Sequence, residues 1–257
     1  MKKLWQNFCT SQKAGYMMPV AGGILLLSVL GFPLFFSSIE AQRTAQYEAK
    51  IRSLNLNEIL ADQALANYAK QTSQQLFFDH CAGCHGESGK GDKTAEGLFA
   101  PVLSDRDWLF EGKIETIHAA IADGLKGSMP AYRKTLSTRQ IDQLARYVQA
   151  LSEGQPEREM AGKVLFFTKG CAPCHGESGQ GIPQIGAANL ADNIWRFDGS
   201  FAGIKRTITY GINSGEEHDR VAVMPKFKDA GKLNNSEIKK LAIYVYLLSG
   251  ASEEKHR

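Results

Sequence analysis

The chain has 257 residues, with 30 Lys and Arg against 27 Asp and Glu, for a formal net charge of +3. So small a balance, with no basic stripe, argues against nucleic acid as a partner. Of five cysteines, four fall into two copies of one pentapeptide, so cysteine chemistry is the first thing to explain.

In chain order, residues 1–15 form a short N-terminal segment carrying Lys2, Lys3 and Lys13. Tyr16 to Ile39 is a run of 24 uncharged residues, long enough to span a bilayer with some tilt. It is longer than a signal-peptide core, and no Ala-x-Ala site follows it. An uncleaved transmembrane anchor over 16–39 is expected. The preceding lysines keep the N-terminus cytoplasmic by the positive-inside rule, despite Arg43, Lys50 and Arg52 beyond. Cys9 precedes the anchor and is a bystander. Residues 40–70 are polar and alanine-rich, with Leu54, Leu56, Leu60 and Leu65 loosely spaced for a helix. They read as a stalk or lead-in helix.

The first pentapeptide is Cys81-Ala82-Gly83-Cys84-His85 and the second is Cys171-Ala172-Pro173-Cys174-His175. Cys-x-x-Cys-His is the spacing of covalent haem attachment: two thiols add to two vinyl groups, and the adjacent histidine binds the iron. A zinc ribbon wants its second cysteine pair roughly 15–20 residues on, and here the copies are 90 positions apart. A thioredoxin-like pair wants a strand–helix setting, and no β-branched run precedes either copy. Neither rival explains the histidine.

The motifs belong to a longer repeat. Gly86-Glu87-Ser88-Gly89 and Gly176-Glu177-Ser178-Gly179 follow them, and Phe77 and Phe167 each lie four residues before the first cysteine. Trp108, Ile117 and Gly124 match Trp195, Ile204 and Gly211 at a shift of 87. Leu144, Tyr147 and Leu151 match Leu241, Tyr244 and Leu248 at a shift of 97. Two domains are expected, 71–154 and 155–250, followed by a tail, 251–257. Ile141, Leu144, Ala145, Val148 and Leu151 make one apolar helical stripe. Ser137 with Gln140, and Asn234 with Glu237, read as capping boxes, and Gly154 and Gly250 as stops. A shorter helix carries Ile114, Ile117 and Ile121, matched by Ile204 and Ile208. The fold class is all-α, in small domains whose thin cores a haem would fill.

A haem used for electron transfer needs a second axial ligand. Met129 and Met224 stand at matching places in the repeat, each before a proline. A thioether favours ferrous iron, and the proline fixes the backbone beside it. Space-filling core methionines are the competing reading. The metal ligands are therefore His85, Met129, His175 and Met224, and Met224 is assigned to the second haem. Trp108 and Trp195 are candidates to pack on the haem and donate to a propionate, or are simply core aromatics. Arg133 and Lys228 read as surface charge, and His118 as solvent-facing because its counterpart is Lys205. His80 lies too close to Cys81 to reach over the haem, and His256 lies in the tail. The second repeat has eight more residues between Gly211 and Met224 than the first has between Gly124 and Met129. This insertion, 212–223, reads as a polar surface loop; alternatives are a partner contact, or His218 replacing Met224 on the iron.

With these residues in place the chain resembles the membrane-anchored dihaem cytochrome c subunit of cbb3-type cytochrome c oxidases. The likeness rests on Asn189-Leu190-Ala191-Asp192-Asn193-Ile194-Trp195, Met129-Pro130-Ala131-Tyr132, Leu241-Ala242-Ile243-Tyr244-Val245 and Tyr47-Glu48-Ala49. It covers roughly residues 45–250. The resemblance implies a transmembrane helix followed by two tandem cytochrome c domains with two covalent haem c groups. It implies a bacterial inner-membrane location with the haem domains periplasmic. The implied partners are the catalytic haem–copper subunit, a monohaem cytochrome c subunit, a soluble or membrane cytochrome c donor, and membrane lipid. The implied function is electron relay to an oxygen-reducing subunit, with no catalysis by this chain alone. The competing readings are a free-standing membrane dihaem cytochrome serving another acceptor, and a dihaem peroxidase, which needs an open iron.

Overall fold

The computed structural model describes residues 22–91, 100–229 and 231–250, with side chains from residue 37 onward. The segments 1–15 and 251–257 lie outside the described residues, as does the start of the apolar run at 16–21. Among the described residues no helix is long and apolar enough to cross a membrane. The chain divides into two compact units, Met1–Gln46 and Tyr47–Arg257. Both pentapeptides lie in the second.

The architecture of that unit is helical. The helix α1 (Gly22–Ser53) enters it, followed by α2 (Leu56–Ala61), α3 (Gln63–Thr72), α4 (Gln74–His80) and α5 (Ala82–His85). Then come α6 (Ile114–Asp123), the two-residue strand β1 (Leu125–Lys126) and α7 (Thr138–Ser152). The second repeat supplies α8 (Met160–Thr168), α9 (Ala172–His175), α10 (Phe201–Tyr210), β2 (Val223–Met224) and α11 (Asn235–Leu248). Both expected capping boxes form, Ser137 with Gln140 at α7 and Asn234 with Glu237 at α11. Gly154 and Gly250 follow the two helix ends with positive φ, where glycine alone is unstrained. The stripe Ile141, Leu144, Ala145, Val148 and Leu151 is buried throughout.

Packing crosses the repeats. One core joins Phe77, Ile114, Ile117 and Ile121 of the first repeat to Ile238, Leu241, Ala242 and Val245 of the last helix. The other joins Leu144, Tyr147 and Val148 of α7 to Phe166, Ile204 and Ile208 of the second repeat. Each final helix thus serves the other repeat's motif. Ring pairs mark both junctions: Phe77 lies 5.1 Å from Tyr244, and Tyr147 5.4 Å from Phe166. One reason is local: only residues 153–159 separate α7 from α8, and so short a link favours packing between the two helices it joins. Gly162 lets them approach, since a Cβ there would lie 2.5 Å from that of Tyr147 and still closer to the Gln143 carbonyl.

Phe166, not Phe167, is the counterpart of Phe77. Phe166 is 1% exposed and Phe167 44%. The second repeat has one extra residue before its motif, absorbed at Gly170 with φ +80. The Cys171 amide then reaches back to Phe166 O, where that of Cys81 reaches Phe77 O.

The end of α1 is tied to α11. The Lys239 ammonium donates to the carbonyls of Ile51 (3.1 Å), Arg52 (3.3 Å) and Leu54 (2.7 Å). It thereby satisfies acceptors left open at a helix C-terminus and complements the helix dipole. Glu48 accepts from the Tyr68 hydroxyl (2.7 Å) and from Lys240 Nζ (2.8 Å). Burial raises the Glu48 pKa, but the hydrogen bonds from Lys240 and Tyr68 outweigh it, and the carboxyl ends below its ordinary 4.5. Tyr68 is pushed up to about 12, by burial and then by Glu48.

This packing can be probed at two positions. Gly162→Ala should destabilise the fold by about 1–3 kcal/mol in chemical denaturation, because overpacking outweighs the helix propensity gained. Glu48→Gln should cost about 1 kcal/mol at pH 7. The carboxylate's depressed folded pKa makes its contribution complete above the unfolded value and lost as pH falls through the folded one. The difference between variant and parent should therefore shrink below about pH 4.5.

Candidate functional site

The two motifs have the same local geometry. The helix α4 is capped by Cys81, whereas α8 ends at Thr168 and reaches Cys171 through Lys169 and Gly170; a single turn follows each, α5 or α9. The His85 amide donates to Cys81 O at 2.9 Å and the His175 amide to Cys171 O at 2.9 Å. A turn of helix places the thiols at i and i+3 on one side and the imidazole at i+4. The glycine loop then folds back: Gly91 N donates to His85 O and Gly181 N to His175 O, both at 2.8 Å.

Each imidazole is oriented by a carbonyl. His85 Nδ1 lies 3.0 Å from Pro101 O, and His175 Nδ1 lies 2.9 Å from Ala188 O. A carbonyl only accepts, so Nδ1 carries the proton and Nε2 is left with its lone pair, the arrangement of a metal-binding histidine. Burial lowers both imidazole pKa values against the effect of the carbonyl; Arg196 lowers that of His85 further. Both rings are thereby kept neutral.

The first thiol of each motif is unlike a thioredoxin nucleophile. Cys81 is pushed up to about 12 by burial and then by Cys84. Cys171 is also raised, by burial first. A thioredoxin-like nucleophile has a depressed thiol pKa, the opposite of what stands here. Among the described residues no cluster of three or more His, Cys, Asp or Glu side chains is arranged to hold a metal ion.

A cavity opens beside the first motif. Cys81, Cys84 and His85 line it, with Trp108, Pro101, Leu103 and Ile117. Met224 and Pro225 also line it, so the methionine in the cavity of His85 comes from the second repeat. Met129 instead packs against the second core, together with Cys171, Tyr132 and Trp195. Tyr132 hydrogen-bonds with Cys171, and its pKa is raised by burial and then by Cys171 and Cys174. The sequential assignment of Met224 to the second haem is therefore corrected: it groups with His85, and Met129 groups with the motif of His175.

The cause is a crossing of the two methionine loops. Leu125 pairs with Met224 and Lys126 with Val223, antiparallel. Met129 and Ile212 exchange both backbone bonds, at 3.0 and 2.9 Å. Beyond each methionine the chain docks on the other repeat's short helix: Tyr132 N donates to Ile208 O at 3.1 Å, and Phe227 N to Ile121 O at 3.3 Å. Gly124 and Gly211 make the crossing possible. Both have positive φ, and a Cβ on Gly124 would lie 2.5 Å from Met224 O, with Gly211 as closely set against Met129 O.

Of the other candidates, Trp108 lines the first cavity and Trp195 packs on the second core. Arg133 pairs with Glu216 at 3.2 Å and Lys134 with Glu216 at 2.7 Å, so the 212–223 insertion is pinned to the Met129 loop. His218 stands edge-on to Tyr210, with centroids 5.3 Å apart, and is not among the residues lining the Met224 cavity. His118 is half-buried rather than solvent-facing, because α6 packs on α11 there, and burial lowers its pKa. Sequence reasoning missed Arg196 and Asp107, both lining the first cavity. Asp107 is raised by burial, then by Asp192 and Asp105. Aligning the repeats at Trp108 and Trp195 would have exposed Arg196, whose counterpart is Leu109.

Residues 69–148 match the family described as cytochrome c oxidase, cbb3-type, subunit III, and residues 159–249 match cytochrome c. The cbb3-type cytochrome c oxidase subunit FixP of Azorhizobium caulinodans is 35% identical over 83% of this chain and 71% of its own length. Subunit CcoP of Rhodobacter capsulatus is 34% identical over 82% and 72%, and that of Cereibacter sphaeroides 31% over 82% and 71%.

The chain belongs to the subunit III family of cbb3-type cytochrome c oxidases. Members of this family are electron-transfer subunits of a complex, not catalysts alone, and their cytochrome c domains imply haem c. The residues present fit that group: two thiols and a histidine at the edge of one void, the histidine with its Nδ1 engaged by a carbonyl, and a largely apolar lining with a thioether in its wall.

The pairing is testable. If haem is attached at the first motif, Cys84→Ser should remove one thioether and mark that haem by a red-shifted absorption band. In that background Met224→Ala should abolish the sulfur-to-iron charge-transfer band of the marked haem, and Met129→Ala should leave it intact.

Proposed function

We propose that this chain is a membrane-anchored dihaem cytochrome c, relaying electrons from a periplasmic or quinol-oxidising donor to the oxygen-reducing subunit of a cbb3-type oxidase. The observation that carries the reading is the pair of attachment motifs, each grouped with one methionine, inside one folded unit. The bound group supplies reversible one-electron chemistry at iron. Cys81 with Cys84, and Cys171 with Cys174, hold it by thioether bonds. His85 and His175 bind through Nε2, held in register by Pro101 O and Ala188 O. Met224 and Met129 would supply a thioether to the iron at the first and second site, and a thioether on each iron would disfavour a peroxidase. Trp108 and the aliphatic wall of Leu103, Ile117 and Val245 exclude water from the first site. A dry, rigid, fully ligated site changes little on reduction and so transfers electrons with little reorganisation.

The run Tyr16–Ile39 supplies the anchor, with the N-terminus cytoplasmic and the haem domains in the periplasm, where c-type haem is attached. The partners are the haem–copper catalytic subunit, the monohaem cytochrome c subunit, membrane lipid and a cytochrome c donor. Purification in mild detergent tests the assignment. The chain should carry the mass of two haems and co-elute with b-type haem and copper. A lone dihaem chain would favour a free-standing membrane cytochrome, and a chain of bare polypeptide mass would end the reading.

A further inference from the structure

Among the described residues lining the first cavity, Arg196 is the only arginine or lysine. It shares that lining with Cys81, Cys84, His85 and Met224, so its side chain faces the space the first haem would fill. Yet it belongs to the second repeat, and its chain neighbour Trp195 packs on the second core. Arg196 therefore has its backbone beside one site and its side chain in the wall of the other. It is no general feature of the repeat, since Leu109 holds the matching place.

The chemistry of a guanidinium in that wall is specific. It stays charged, and burial at this position lowers its proton affinity, so it gains from an anion at short range. Its planar fork matches a carboxylate in two parallel hydrogen bonds. A haem attached at Cys81 and Cys84 brings two propionates into this cavity. The acidic side chains of the same wall, Asp107 and Glu111, offer those propionates no cation.

We propose that Arg196 is the cationic partner of the propionates at the first site, and that through this contact the second repeat raises the reduction potential of the first haem. This rests on the reading of the chain as a dihaem cytochrome. The sign is electrostatic. Ferric haem carries one more positive charge than ferrous haem, so a neighbouring cation, and neutralisation of a propionate, both favour the reduced state. Arg196 is a positioning and tuning residue; it does not touch the iron.

The test uses the full-length chain in its detergent-solubilised complex, with the first haem marked by Cys84→Ser. Spectroelectrochemical titration then follows each haem in Arg196→Leu, Arg196→Gln and Arg196→Lys. In Arg196→Leu the ferric-to-ferrous ratio of the marked haem at fixed ambient potential should rise about tenfold, which is about 59 mV for one electron. Arg196→Lys should keep most of the parent potential, Arg196→Gln should fall between, and the unmarked haem should move much less. If Arg196→Leu fails to retain haem, the ordering of Lys above Gln decides the matter. A marked haem unmoved across the haem-loaded variants, or both haems shifting equally, overturns this inference and leaves the dihaem assignment standing. A parent chain without haem at the two motifs overturns both.

Discussion

The constraint on which this molecule depends is the crossing of two methionine loops at Gly124 and Gly211. Each glycine holds a positive φ, and each lies against the carbonyl of the other repeat's methionine. A side chain at either place meets backbone, which cannot move aside cheaply. The crossing sends Met224 to the cavity of His85 and Met129 to the core behind His175. It also sends each final helix to the other repeat, so neither core is complete from one repeat's residues. In the proposed dihaem reading, electron transfer would need fixed separation and fixed ligation of the two groups. Two modules that share their cores and a backbone ladder meet that need better than two modules on a flexible tether.

The second repeat carries the asymmetry. Its insertion is held by Glu216 to Arg133 and Lys134, and Asn213, at φ +45, donates to Gly127 O and Ala222 O. The extra residues thus fill the edge of the ladder and brace both loops. His218 lies against Tyr210 and does not line the cavity that Met224 enters. Arg196 is a second asymmetry, a charge placed by one repeat in the apolar wall of the other's site.

The lead-in region does more than join segments. Lys239 closes the end of α1, and Glu48 gathers Tyr68 and Lys240. Ile51, Ile59 and Leu65 are fully buried in the first core. Residues of this stretch are therefore part of the core beside the first motif, and Leu54, Leu56 and Leu60 mark its edge.

Much of this was legible in one dimension because its physics is local. Thiols at i and i+3 with a histidine at i+4 announce their chemistry by spacing alone. Capping boxes, helix stops and the apolar stripe of α7 depend on residues within four positions of each other. A duplication can be read by comparison, although a single inserted residue at Gly170 shifted the match between Phe77 and Phe166. What spacing left open was which copy of a repeated part serves which site. Met129 and Met224 have near-identical surroundings in sequence, and either assignment satisfies every local rule. Packing alone separates them: the short link between α7 and α8 and the backbone approach at Gly124 and Gly211 favour the exchanged arrangement. The sequence by itself determined the two Cys-x-x-Cys-His motifs, the repeated Met-Pro pairs and the capped helices between them. Tertiary structure decided the pairing, the burial of His118 and the reach of Arg196, because those depend on contacts between residues some 80 to 140 positions apart.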